Sequence, residues 1–403
     1  MITGSTLNFW VLKLGLDKKL LGIFGLISLP YSINFLWMPI FDSVEFNGKI
    51  FGLSKKDSSK LIWLVLLMGS LIISINLMSL SSDNFFYLAF ASFITAFFSA
   101  SKDGLLGGLK ASILDAEKVY QYSGAYIISY RIGMLFSSAG AIYLSSYYDW
   151  STIYFIFSLL VFIFGGITCL VWYRIKFLEI NMALKKEIDI DESAPKYINV
   201  NTLSKALSST SFKYTGYFVI FLSCYKLADN LIGVMINAFL LDKSYSDFEI
   251  ACYSKALGTC GAIVGGGLAS KYMKDFTKVR SNLVNFGILH AFSHIFLIFQ
   301  ALIEKNVLIL AISVIFSSIT SGMTMSCYMA AIILKSRGEY QATQYAFYTS
   351  IMGLSRVVLP ILSGIIISYF DWIWYFSICF ILSLLGLSTT KLLDSKKLFD
   401  SEE

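Results

Sequence analysis

Charged side chains are rare inside the apolar stretches of this sequence, so those that occur there are the first candidates for chemistry. The densest group is Tyr225-Lys226-Leu227-Ala228-Asp229-Asn230. On a helix, Lys226 and Asp229 are three residues apart and share a face, and Tyr225 lies one turn before Asp229. A lysine turned into a helix bundle can hold a carboxylate of a solute, with Tyr225 and Asn230 as polar neighbours, while the aspartate beside it can gain and lose a proton. The same pair can equally neutralise itself and do no more than lock helices together. Arg131, with Tyr126 and Tyr130 on neighbouring faces, offers a second place for an anionic or sugar-like ligand, or else a clamp on a carbonyl or on Asp103. Lys102-Asp103 brings a further carboxylate able to carry a proton, although both charges can also sit at the membrane rim. Gly104, Gly107 and Gly108 follow it and allow close helix approach. His290 and His294 are one turn apart in an apolar helix, a spacing that suits a proton relay. Without a third ligand, such a pair reads more readily as packed or interfacial residues.

These residues need elements that keep them from lipid, and the composition says what those elements are. In 403 residues, 56% are hydrophobic, 16% aromatic and only 14% charged, and the mean hydropathy is +0.69. No single soluble core hides that much apolar surface. A spanning helix takes about 20 apolar residues, and Leu61 to Leu80 supplies them without one charge. Apolar runs near 20–41, 61–80, 84–107, 122–146, 151–173, 214–240, 249–270, 282–302, 306–334, 345–370 and 373–393 predict eleven spans of an all-α polytopic membrane protein. Met1 to Val11 reads as the last turns of a further, truncated first helix, and no cleavable signal peptide is expected, since no basic stretch precedes an apolar core. The six cysteines are scattered through apolar runs with no CxxC pair, as small buried hydrophobes rather than a disulfide or zinc framework. No Gly-rich nucleotide loop is present, and no Ser/His/Asp, Cys/His or metal constellation appears in the loops. The expectation is therefore a non-enzyme without a cofactor or metal. The net charge of +6 belongs to loop lysines and does not call for nucleic acid.

Lysine and arginine also set an orientation. If the 20–41 span runs from outside to inside, most of the 32 cationic residues fall in cytoplasmic segments. Lys13, Lys18, Lys19, Lys243 and Lys305 stay outside, Arg131, Lys226, Lys255 and Arg356 lie within the bilayer, and the C-terminus is cytoplasmic. The longest polar stretch, 174–213, then separates an N-terminal bundle at 1–173 from a C-terminal bundle at 214–403 as a cytoplasmic linker. A faint internal echo supports two halves: Tyr148-Asp149-Trp150 resembles Phe370-Asp371-Trp372, and each follows an intramembrane arginine, Arg131 or Arg356. Pro30 and Pro39 are expected to bend the 20–41 span, and Pro360 the 345–370 span. The glycines from Gly261 to Gly267 predict tight helix packing.

The stretch Leu29 to Ser43, LPYSINFLWMPIFDS, resembles the second helix of the AmpG-type muropeptide permeases of the major facilitator superfamily at Pro30, Tyr31, Phe35, Leu36, Trp37, Pro39 and Asp42. Asn34 stands where that family usually has lysine. Further matches are Tyr225 to Asp229 with Phe239-Leu240, Ser246 and Glu249-Ile250, and Ala342 to Ala346 with Ser355-Arg356-Val357. The family normally has a helix before its Thr-Gly-Ser-Thr-Leu segment, which here is Thr3 to Leu7. It also tends to have Gln-Asp and a second aspartate in its fourth helix, where this chain has Lys102-Asp103 and then Gly107. The resemblance implies a two-bundle major facilitator fold in the cell inner membrane, acting as a monomer by rocking around a midplane site. It implies proton symport of anhydromuropeptides for peptidoglycan recycling, with Lys226 and Arg131 on anionic groups of the substrate and Asp229 or Asp103 carrying the proton. Two alternatives stay open: a transporter of another solute, such as a peptide, sugar or acyl-CoA, and a non-transporting, degenerate paralogue.

Overall fold

The computed structural model describes residues 26–46, 53–81, 85–113, 115–185, 212–337 and 340–393, with a few isolated positions before residue 11. Every regular element among them is helical. The described part of the 20–41 region, after a 3-10 turn at Leu26–Ser28, forms two short helices, α1 (Leu29–Ile33) and α2 (Met38–Ser43), joined by a second 3-10 turn at Asn34–Leu36. Pro30 and Pro39 lie in the first turns of these pieces, where a missing N–H does no harm. Pro39 also cannot donate to the turn before it, so the segment is divided rather than merely bent.

Six of the long helices are α3 (Lys55–Ser79), α4 (Phe85–Ile113), α5 (Ala116–Leu135), α6 (Trp150–Lys185), α7 (Phe212–Tyr225) and α8 (Leu227–Asp242). Five more follow: α9 (Leu257–Tyr272), α10 (Val279–Leu302), α11 (Val307–Lys335), α12 (Gln341–Tyr369) and α13 (Trp372–Ser388). By length and composition, eight helical stretches among the described residues can cross a membrane, α5 with its continuation to Leu144 and α7 with α8 each forming one of them. Their starts are chemically marked. Ser54 accepts from the Asp57 amide and donates to its carboxylate at the head of α3, and Asn306 accepts from Leu308 and Ile309 at the head of α11. Two of the expected spans depart from ideal helix: α5 passes through a π turn at Phe136–Gly140, and α9 is preceded by another at Ile250–Ala256. α6 continues beyond Tyr173 to Lys185, because Arg174 to Lys185 contains neither Pro nor Gly to stop it. The rest of the expected linker, and most of the expected partial first helix, lie outside the described residues.

By contacts the chain forms two compact units. Unit 1 takes Met1–Leu109, Met134–Ala206 and Glu339–Ala346; unit 2 takes Lys110–Gly133, Leu207–Gly338 and Phe347–Glu403. The unit 1 core packs Ile75 and Met78 of α3 against Leu88 and Ala91 of α4 and Tyr154 of α6, with Trp10 stacked on Trp150 at 5.8 Å. The start of α12 belongs to this unit. The Asp42 carboxylate accepts from the Thr343 amide at 2.8 Å, the Thr343 hydroxyl at 2.7 Å and the Ala342 amide at 3.3 Å, where free N–H groups and the helix dipole favour an anion. Gly107 has a steric reason as well: a Cβ there would stand 2.1 Å from the Tyr345 ring, so no aspartate fits.

The unit 2 core gathers Phe239 and Leu240 of α8, Leu310 of α11 and Tyr375, Phe376 and Cys379 of α13. In contrast, Phe162, Phe164 and Leu170 on the outside of α6 are each more than 60% exposed, as lipid-facing side chains must be. Backbone contact holds α9 to α11. A Cβ on Gly265 would be 2.1 Å from the Ile319 carbonyl oxygen, and one on Gly322 would be 2.5 Å from that of Ala262. Gly265→Ala must push these helices apart and is expected to cost about 1–3 kcal/mol, as overpacking does. Gly69→Ala, inside α3 where nothing lies within 4 Å, should not destabilise and gains helix propensity, and thermal unfolding in detergent will compare the two.

Candidate functional site

The span containing Lys226 is two helices. α7 ends at Tyr225, α8 begins at Leu227, and Lys226 between them leaves helical geometry at φ −106° and ψ 13°. Neither Pro nor Gly causes the break. Side-chain bonding draws Lys226 inward, and Gly386 of α13 lies so close that a Cβ on it would meet the Cys224 carbonyl oxygen at 2.4 Å. Interrupted spanning helices of this sort are how transporters expose polar groups at membrane depth.

At the break, the Lys226 Nζ donates to Asp229 Oδ2 at 2.7 Å and to Thr324 Oγ1 at 2.8 Å. Thr324 spends its own proton on the Ser321 carbonyl, which leaves its oxygen free to accept from the ammonium. An ammonium has three N–H donors, so one makes no hydrogen bond among the described residues, with the Tyr225 ring 6.0 Å away. Lys226 itself is 7% exposed. The other carboxylate oxygen, Asp229 Oδ1, faces His290 Nε2 at 2.7 Å and His294 Nε2 at 3.6 Å. His290 Nδ1 meets Thr320 Oγ1 at 2.9 Å, whereas His294 Nδ1 is buried with no hydrogen-bond partner among the described residues. The helix period explains this convergence: His290 and His294 share one face of α10, Thr320 and Thr324 share one face of α11, and the Lys226–Asp229 pair enters between them.

A small cleft, with room for about one water molecule, opens beside the cluster between Tyr225, Lys226, Gly287, His290, Thr324, Ser383 and Leu387. Tyr225 stacks on Tyr328 at 5.8 Å and donates to the Leu283 carbonyl at 2.8 Å, so it walls the cleft with its hydroxyl already engaged. Asn230 follows on α8, half-buried, its amide bonded to the Lys226 carbonyl. Tyr130, 46% exposed, and the half-buried Arg131 sit on α5, another helix of the same unit. Asp103 lies in unit 1, its side chain 53% exposed and paired with Lys102 at 2.9 Å.

The residues most under-read from sequence are the two histidines, together with Thr320 and Thr324. The i, i+4 spacing of each pair is plain in the chain, but the helix each pair faces is not. Asp229, His290 and His294 place their ligand atoms within 4.8 Å of one another, a donor set suited to a divalent transition metal. Two features argue against that occupant. Metal bonds of about 2.0–2.1 Å set neighbouring ligands about 3.3 Å apart in a tetrahedral site, whereas His290 and Asp229 are at hydrogen-bond distance, 2.7 Å. Lys226 already places a positive charge on the same carboxylate.

Residues 52–358 match the Major Facilitator Superfamily. The transporter AmpG 1 of Rickettsia conorii is 41% identical over 380 residues, covering 92% of this chain and 89% of its own length. A bacterial homologue of the iron transporter ferroportin, solved in an outward-facing state, superposes with a TM-score of 0.58 at 15% identity, covering 97% of this chain and 96% of its own. The human organic anion transporter MFSD10 gives 0.59 at 12% identity, with 98% and 89% covered. At such identities the structural likeness speaks for the fold alone.

Removing one partner of a buried ion pair strands the other charge, at about 3–5 kcal/mol. Asp229→Leu should therefore lower thermal stability in detergent sharply, and Lys226→Met with Asp229→Leu should recover most of the loss. Equal melting of the single and double variants would show that the pair is not buried as described.

Proposed function

The chain belongs to the Major Facilitator Superfamily, among its AmpG-type secondary transporters, and from that membership we propose that it imports anionic wall-turnover fragments of the anhydromuropeptide class together with protons. It does so as a monomer in the bacterial inner membrane, with its C-terminus in the cytoplasm. The observation that carries this reading is Lys226, a buried lysine at a helix break, held by Asp229 and Thr324 with a donor to spare.

A muropeptide presents carboxylates, and an ammonium out of water binds a carboxylate far better than a hydrated one does. While Asp229 is ionised it competes for Lys226. Once a proton neutralises that side of the cluster, the competition weakens and Lys226 turns its donors to the solute. Loss of the proton on the cytoplasmic side restores the competition and expels the cargo. Arg131 supplies a second contact for anionic groups, with Tyr130 and Asn230 as polar neighbours, and Asp103 is a second candidate for the proton.

The test is uptake of labelled anhydromuropeptide into vesicles carrying the protein. A hydrogen bond to a charged group contributes about 1.5–3 kcal/mol, so Lys226→Ala should weaken apparent substrate affinity about ten- to hundredfold. Asp229→Asn should abolish the response to a pH gradient. Undiminished uptake in both variants overturns the assignment.

A further inference from the structure

We infer that the coupling proton is carried by His290, in its hydrogen bond with Asp229, and that Thr320 is the rotor that lets His290 take it up. This deepens the proposed transport reading and rests on it only for the word coupling; the proton site itself follows from the bonding.

His290 Nε2 and Asp229 Oδ1 are 2.7 Å apart, a distance two lone pairs do not tolerate, so a proton lies between them in every occupied state. The Thr320 hydroxyl has one hydrogen and three acceptors in reach: His290 Nδ1 at 2.9 Å, the Phe316 carbonyl at 2.9 Å and the Ser317 carbonyl at 3.0 Å. When His290 is neutral, Nε2–H donates to Asp229 and Thr320 donates to Nδ1. When His290 takes a second proton, on Nδ1, the Thr320 hydrogen swings to a backbone carbonyl and its oxygen accepts from Nδ1. Both protonation states are thus fully bonded with no heavy atom displaced. A buried imidazole can change charge here without stranding a polar group, which is the condition a proton carrier inside a membrane has to meet.

The change of charge also supplies coupling. With His290 neutral, Lys226 and Asp229 cancel and the cluster has no net pull on an anion. With His290 protonated, two cations share one carboxylate and the cluster is left at +1. A net charge buried among α8, α10 and α11 is costly unless a counter-ion arrives, and the cleft beside Lys226 and His290 is where it can arrive. One proton is therefore taken up with one negative charge, and each favours the other. The remaining titratable groups around the pair leave His290 as the carrier. Tyr225 on α7 and Cys379 on α13 are neutral near pH 7, and Lys226 is already paired with Asp229 and Thr324. His294, on α10 itself, stands farther from Asp229, at 3.6 Å, and its Nδ1 has no partner among the described residues, so a second proton there would leave a buried N–H unbonded.

The sequence contains only two histidines, so nitrogen-15 histidine labelling of the full chain, purified without a histidine tag, gives two imidazoles to follow. His290→Gln and His294→Gln each assign one. The expected result, recorded without substrate, is a His290 ring with Nε2–H at all pH values and an Nδ1 that protonates reversibly with a single midpoint. In Asp229→Asn that midpoint should fall by about one unit or more, as loss of a neighbouring anion requires. In proteoliposomes given anhydromuropeptide, a one-unit pH gradient drives about tenfold accumulation per proton. His290→Gln should reduce this to onefold while solute exchange without a gradient persists. A His290 without Nε2–H, a titration found at His294 instead, or full uphill accumulation in His290→Gln overturns the inference. A normal His290 titration in a protein that moves no anhydromuropeptide would instead overturn the substrate reading and leave the proton site standing.

Discussion

The constraint on which the structure turns is that a lysine and an aspartate lie inside helices otherwise built for lipid. Neither charge is tolerable alone at that depth, and their attraction offsets the loss of hydration only when further hydrogen bonds complete it. Here Thr324 adds a second acceptor to Lys226, and His290 bonds the other oxygen of Asp229. The break between α7 and α8 follows from that requirement. Helix lost at Lys226 is compensated by an ammonium brought to two oxygens, and the Lys226 carbonyl still accepts from the Asn230 amide.

Such convergence demands close backbones. Gly386 lets α13 approach the Cys224 and Tyr225 backbone, and Gly287 leaves room for Tyr225 and Leu387 next to the cleft, where a Cβ would stand 3.0 Å from the Tyr225 hydroxyl and 2.6 Å from Leu387. Gly265 and Gly322 do the same for α9 and α11, the helix that presents both threonines. Without a hydrophobic driving force between helices in lipid, this contact between small residues is what gives the polar cluster fixed walls. Fixed walls matter, because a single added proton is felt only if the groups around it cannot rearrange to hide it.

Much of this is legible in the chain itself. The apolar runs place most of the helices, and the three-residue spacing of Lys226 and Asp229 foretells their ion pair. What the sequence does not convey is tertiary. Nothing in Cys224-Tyr225-Lys226-Leu227 signals a broken helix, since the cause lies on α11 and α13. His290 and His294 look isolated in the chain because their third partner, Asp229, is 61 residues from His290. Gly107 resembles a lost carboxylate until the Tyr345 ring is seen to fill its place. Asp42, notable in the sequence only as part of a resemblance, caps the start of α12 from 300 residues away. Pro30 and Pro39 signal a bend, and the chain answers with separate short helices.

The central claim is that proton and anion occupy one cluster and depend on each other. It is tested most directly by reconstituting the protein in sealed vesicles with no imposed gradient, adding anhydromuropeptide outside, and recording external pH with solute uptake. The expected result is alkalinisation in step with solute entry, one proton for each transport cycle, with the alkalinisation lost in Asp229→Asn while solute still enters. Solute entry that leaves external pH unchanged in the unaltered protein, or alkalinisation that persists in Asp229→Asn, would contradict it.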